Sequence, residues 1–248
     1  MRLLVTSFLC VALVLSISTI SALASKDELT RFPLRNVTPK PIIIGPKVPG
    51  QVCQVGNLNA PAWSIGDFLL PPEEYKLVFD PNLGCGDCQI GFAVNTVHVL
   101  VQTAEACEIV MAVDVEEADV TDPSCPQPGP LMCASGLYTV TITGAGLWDI
   151  GLPITCGCLT MDRIYLLSFY VESFSCAPLG TTPDLITDAG PPTLCTNWNN
   201  YGTGWIDLVA QYPTWPGQLV VYADAECCSP PVPVEDSTWG AIKALYDN

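Results

Sequence analysis

Cysteine usage constrains this chain more tightly than any other feature. Thirteen cysteines occur, and one of them, Cys10, lies inside the opening run "MRLLVTSFLCVALVLSISTISALA". That run has one arginine, a long apolar stretch and the small-residue ending Ala22-Leu23-Ala24, the pattern of a signal peptide. Residues 1–24 are therefore expected to be a cleaved export signal, with an uncleaved membrane anchor as the alternative. The other twelve are Cys53, Cys85, Cys88, Cys107, Cys125, Cys133, Cys156, Cys158, Cys176, Cys195, Cys227 and Cys228. An even set in an exported chain reads as disulfides, with a pairing that sequence alone does not choose. The expected location is secreted or at the cell surface, in an oxidising compartment.

The same argument removes other cysteine chemistries. Four-cysteine zinc does not suit an oxidising compartment. Cys85-Gly86-Asp87-Cys88 has the spacing of a redox pair without the βαβ context that activates one, so structural bridging is expected. Cys227 and Cys228 adjoin and should bridge to two different partners.

Charge narrows the partners. Residues 52–248 hold three bases, Lys76, Arg163 and Lys243, against 23 acids. So negative a chain repels nucleic acid and anionic membrane surfaces. Neutral polysaccharides or glycans, cations and basic partners remain. The sequence does not fix an oligomeric state.

Residues 25–51 are proline-punctuated and relatively basic, and read as an extended leader; Asn36-Val37-Thr38 within it is a glycosylation acceptor in a eukaryotic host. Residues 52–229 read as one β domain, with short apolar or alternating runs between Gly, Pro, Asn and Cys clusters. Strands are expected near 75–79, 90–101, 107–115, 137–143, 150–156, 164–172, 184–187, 205–211 and 218–226. The fold class that follows is all-β: a disulfide-stapled two-sheet sandwich, jelly-roll-like. Residues 230–248 read as a Pro-rich spacer and a short C-terminal helix, capped at Asp236, Ser237 or Thr238, with Trp239, Ile242, Leu245 and Tyr246 at helical spacing.

Alternation then places candidate binding residues. In "WIDLVAQ", Ile206, Leu208 and Ala210 share one face and Trp205, Asp207, Val209 and Gln211 the other. In "QLVVYADAE", Leu219, Val221, Ala223 and Ala225 point inward, and Tyr222, Asp224 and Glu226 outward. In "YLLSFYVES", Tyr165, Leu167, Phe169 and Val171 point inward, and Ser168, Tyr170 and Glu172 outward. Each strand thus offers an aromatic ring and a carboxylate on one face, a pairing suited to a neutral sugar: the ring stacks on pyranose C–H groups while oxygen acceptors take hydroxyls. The alternative is packing, since Tyr and Trp are frequent in strands.

Two further constellations merit attention. "DVEEADVTD" crowds Asp114, Glu116, Glu117, Asp119 and Asp122 together; Asp114, Glu116, Asp119 and Asp122 are candidate Ca²⁺ ligands, although the EF-hand glycine and spacing are missing and a solvated acidic turn is the alternative. Glu117-x-Asp119-x-x-Asp122 is similar in part to the strand motif of jelly-roll glucanases, which implies a glycosidase with two carboxyls across one bond; Pro123 follows at once, which ends the strand. His98 is the only histidine, and no nucleophile-elbow motif accompanies it, so it reads as a hydrogen-bonded core or edge residue.

Near the end, Thr238-Trp239-Gly240-x-Ile242-Lys243-x-Leu245-Tyr246 resembles the tails of some secreted bacterial proteins of unassigned function. The resemblance implies a bacterial source and surface sorting. Taken together, the sequence predicts an exported, non-enzymatic binding or surface module with carbohydrate as its first candidate ligand. A purely structural envelope or matrix protein and a jelly-roll glycosidase are the alternatives.

Overall fold

A computed structural model describes residues 29–35, 37–45, 53–176 and 182–229. The export signal, Asn36 and the C-terminal helix and tail expected from the sequence lie outside these residues. In chain order the elements are β1 (Arg31–Pro33), β2 (Lys40–Ile43), β3 (Cys53–Gly56), β4 (Trp63–Ile65), β5 (Glu73–Phe79), α1 (Asn82–Cys85), β6 (Phe92–Thr103), β7 (Cys107–Glu117), β8 (Leu131–Ala134) and β9 (Tyr138–Ile142). There follow β10 (Gly146–Pro153), β11 (Tyr165–Phe174), β12 (Asp184–Thr187), β13 (Asn197–Asn200), β14 (Trp205–Asp207), α2 (Leu208–Gln211) and β15 (Val221–Cys227).

These strands form the expected two-sheet sandwich. Sheet A has eight strands in the order β1-β4-β12-β6-β10-β2, with β15 on β6 and β3 on β15. Sheet B has seven, in the order β14-β13-β5-β11-β7-β8, with β9 also on β7. Each sheet is organised by one long strand with a shared edge. β10 takes one side of β6 while β15 and β12 divide the other; in sheet B, β11 takes one side of β7 while β9 and β8 divide the other. All pairings are antiparallel except β2 with β10. The leader is therefore not a free arm: β1 and β2 edge sheet A at its two ends.

Period-two alternation builds the core, as β geometry requires. Val97, Val99 and Val101 of β6 and Val221, Ala223 and Ala225 of β15 face Val113 and Val115 of β7 and Leu167, Phe169 and Val171 of β11, all buried. Tyr75 stacks on Phe169 with ring centroids 5.1 Å apart. Each large apolar side chain so removed from water contributes roughly 1.5–3 kcal/mol.

All twelve cysteines expected to bridge do so: Cys53–Cys85, Cys88–Cys227, Cys107–Cys176, Cys125–Cys195, Cys133–Cys156 and Cys158–Cys228. Cys85 and Cys88 bond to different strands rather than to each other, and Cys227 and Cys228 have separate partners. With sequence separations from 23 to 139 residues, each closure restricts the unfolded chain by roughly 3–5 kcal/mol on the chain-entropy account. This chemistry is consistent with an extracellular environment, and no helix among the described residues is long and apolar enough to cross a membrane.

Candidate functional site

The three outward rings singled out by alternation do not share a wall. Tyr222 stands on β15 of sheet A, whereas Tyr170 and Trp205 stand on β11 and β14 of sheet B. Alternation assigned the faces of β11 and β15 correctly, since Tyr165, Leu167, Phe169, Val171, Leu219, Val221, Ala223 and Ala225 are all buried. It failed at "WIDLVAQ". The strand stops at Asp207, which caps α2: its Oδ1 accepts from Val209 N at 3.0 Å and its Oδ2 from Cys195 N at 2.8 Å. An Asp in extended backbone with a free side-chain oxygen is a preferred N-cap, so Asp207 orders the chain, each of its oxygens accepting from a backbone amide.

On sheet B, Trp205, Asn200, Glu74 and Tyr170 lie in one lateral row. The Trp205 indole packs with Trp198 and Leu166 and covers the Lys76 ammonium at 4.3 Å. The Tyr170 hydroxyl donates to Glu172 at 2.5 Å. The Trp205 ring is thus engaged within the protein, and Tyr170 is tied through its hydroxyl.

The candidate calcium ligands also separate. Asp119 accepts from Thr121 and Asp122 from Ser124, each closing its own turn. Asp114 and Glu116 gather instead with Glu74, the three presenting oxygens within 4.8 Å of one another. Lys76 stands among them, 2.8 Å from Glu74 Oε1 and in contact with Glu116. Of the acids in the glucanase-like motif, Glu117 pairs with Arg163 at 2.5 Å, and Asp119 bridges to Gln127. These acids do not combine into one cleft.

Sheet A carries the more ligand-ready arrangement, built around His98. Its ring stacks on that of Tyr222 with centroids 4.4 Å apart and planes 7° from parallel. Nδ1 lies 2.9 Å from Asp149 Oδ1, Nε2 lies 3.4 Å from Asp224 Oδ2, and the Tyr222 hydroxyl donates to Asp149 Oδ2 at 2.7 Å. Gln54 Nε2 donates to Asp224 Oδ1 at 2.8 Å. Four strands supply the group: β6 runs between β10 and β15 with His98 opposite both Gly151 and Tyr222, and β3 adds Gln54 opposite Asp224. Gly151 makes room for the imidazole, since a Cβ there would stand 3.1 Å from His98 Cε1.

Electrostatics shifts two members of this group, His98 and Tyr222. Burial alone would pull the His98 imidazole down; the hydrogen bond and charge of Asp149, with Asp224 behind them, outweigh it and raise its pKa above the ordinary histidine value. Burial first, and then the bond to Asp149, raises the Tyr222 phenol, which keeps its proton as a donor.

Beside the group is a cavity of about 230 Å³ lined by Gln54, Asn59, Asp149, Tyr222 and the apolar Leu58 and Leu100. One cavity wall is the loop after β3, held from behind by Asp188: its Oδ2 accepts from Asn57 Nδ2 at 3.0 Å and Asn59 Nδ2 at 2.7 Å, and its Oδ1 from the Gly190 and Gln218 amides at 3.0 and 2.8 Å. Sequence reasoning proposed Tyr222 and Asp224 here, but missed Gln54, Asn59, His98 and Asp149 as site residues. Outward polar residues opposite Tyr222 were the available signal, which needs the strand order to be read. Glu226 lies further along β15, opposite Ala93.

The fold and site together define a disulfide-stapled β-sandwich with an aromatic, carboxylate-rimmed pocket on one outer face. The chain belongs to the family described as a domain of unknown function, DUF7451, whose model matches residues 51–225. Comparison with curated proteins returns no match. Similar solved structures include two of a clostridial surface protein. One holds the cysteine protease and lectin-like domains of Cwp84, a surface layer associated protein of Clostridium difficile, with a TM-score of 0.45 at 14% identity over 67% of this chain and 34% of that one. The other is a variant of clostridial Cwp84 after propeptide cleavage, with a TM-score of 0.42 at 13% identity over 64% and 37%. The chain thus spans about a third of the length of each.

Proposed function

We propose that this protein is an exported binding module for a neutral glycan, and that the Tyr222 pocket of sheet A is its site. The observation that carries the reading is the Tyr222 ring, lying flat on His98 at the rim of a cavity that also presents Asp149, Gln54 and Asn59. A ring held in place by stacking and by its own hydroxyl loses little freedom on binding, and it offers an apolar surface to sugar C–H groups. The carboxylate and amides around it accept or donate to hydroxyls, the usual composition of a small polar-ligand pocket. With few bases on the chain, an anionic glycan would be repelled. Six disulfides support a durable extracellular scaffold, the purely structural alternative, which predicts no retention of any glycan.

The test is a glycan and polysaccharide panel, followed by titration of any hit. Tyr222→Ala and Asp149→Asn are expected to weaken binding at least about tenfold, equivalent to roughly 1.4 kcal/mol, with circular dichroism confirming the fold. Trp205→Ala, on the other sheet, should leave affinity unchanged. A panel that retains nothing, or a hit lost in Trp205→Ala and kept in Tyr222→Ala, would remove the proposal.

A further inference from the structure

Lys76 is the buried lysine of the described residues, 1% exposed, and it projects from the outer face of sheet B. Its lateral row reads Trp198, Lys76, Ser168, Asp114 across β13, β5, β11 and β7. Two strand spacings, about 10 Å, separate β5 from β7. Small, fully buried Ser168 lets the lysine stem lie across β11, and the ammonium arrives at β7 in contact with Glu116. Glu74 Oε1 stands 2.8 Å away on the other side, and the Trp205 ring closes over the nitrogen at 4.3 Å.

One amine therefore meets two carboxyls beneath an indole, with the third, Asp114, beside them, a surplus that simple ion pairing does not require. Burying a charge pair is costly even when it is well made, and each further carboxylate adds repulsion. Asp114 registers that cost: burial first, and then the charges of Glu74 and Glu116, outweigh the lysine and push its carboxyl up to about 7. Asp114 Oδ1 and Glu116 Oε2 are buried with no hydrogen-bond partner. An amine, a touching carboxyl and a neighbouring neutral acid in a water-poor site are the reactants for amide condensation. Well-oriented intramolecular reactions reach effective molarities of roughly 10⁵–10⁸ M.

We propose that Lys76 and Glu116 condense into an intramolecular amide, a covalent brace across three strands of sheet B. The Lys76 ammonium gives one proton to Glu74, while Asp114 protonates the Glu116 carboxyl. The freed Nζ lone pair attacks Glu116 Cδ, forming the C–N bond, and the nitrogen returns a proton to Asp114. The Glu116 hydroxyl then leaves as water with the proton held by Glu74, and the carbonyl re-forms. Ammonium and carboxylate thus become amide and one water, with no change of oxidation state and both helper acids restored. The product replaces a buried ion pair by a neutral group.

Peptide mapping of the exported full-length chain, unfolded with its cysteines reduced and alkylated, decides the matter. Between Lys47 and Arg163 the only lysine or arginine is Lys76, and trypsin does not cut after an acylated lysine. The expected result is a single peptide spanning residues 48–163, lighter than its sequence by one water, with fragmentation placing the link between Lys76 and Glu116. Separate peptides 48–76 and 77–163 as the dominant products would overturn the proposal, as would a link at another carboxyl. Asp114→Asn, which removes the proton carrier at constant size, should restore cleavage after Lys76. If that variant does not fold, the wild-type map still decides.

Discussion

Asp188 is the residue whose substitution tests most directly how the pocket is held. The carboxylate is 1% exposed and divides its work between two oxygens, Oδ1 serving two backbone amides and Oδ2 the side chains of Asn57 and Asn59. Asp188→Asn preserves the shape and the Oδ1 pair but turns Oδ2 into a donor facing two donors. Asn59 can rotate its amide to compensate. Asn57 cannot, because its Nδ2 also donates to Leu219 O at 3.0 Å and its Oδ1 accepts from Asn59 N at 3.1 Å. The expected loss is the charge-assisted bond from Asn57, whose Nδ2 keeps only its backbone acceptors, and the charge assistance of the bond from Asn59, about 3 kcal/mol in all. For a domain of this size that lowers Tm by roughly 6–12 °C. Asp188→Ala, which removes the carboxylate acceptor from all four donors, should cost more. Differential scanning calorimetry on oxidised protein measures both, and titration of a bound glycan should weaken in parallel, because Asn59 lines the cavity. A Tm for Asp188→Asn within 2 °C of wild type, a shift of about 1 kcal/mol or less, would refute this account of the loop.

His98 predicts a pH dependence: its raised folded pKa contributes stability that is complete below its unfolded value and is lost as pH rises through the folded one. Wild-type Tm should therefore fall across that window relative to His98→Gln, and parallel curves for the two proteins would contradict the Asp149–His98–Asp224 arrangement. Gly84→Ala would place a Cβ 1.8 Å from Gln54 O, so α1 must leave β3; a loss of about 3 kcal/mol or more is expected by chemical denaturation. Gly136→Ala, with nothing within 4 Å, is the matched control and should be near neutral. Asp207→Ala removes the α2 cap and the tie to Cys195 and should cost about 1–2 kcal/mol in the same measurement, with no direct effect on glycan binding.

Much of this architecture was legible in the chain. The cysteine count and apolar alternation led to a bridged two-sheet sandwich, and the inward sets of β11 and β15 were read residue by residue. Short strands escaped: β13, "NWNN", is polar and turn-like in composition, yet its Asn197 and Asn199 are fully buried. Their amides bond to groups far along the sequence: Asn197 donates to Gln218 and accepts from Leu219 N, and Asn199 Nδ2 donates to Glu74 O. Composition cannot reveal partners at such range. The end of β14 escaped for a local reason, since a capping Asp and a strand Asp look alike to a period-two pattern.

What the sequence by itself determined was the direction of each side chain along its own strand, because that depends on a two-residue repeat, and the bonded state of the cysteines, because that follows from their number and compartment. Which strands lie side by side was decided only by the tertiary structure. Pairing is a choice among distant segments, made by the packing of the whole core and by six cross-links that span it. That choice moved Tyr222 to His98 and Asp149 on one sheet, and brought Trp205 over Lys76 on the other.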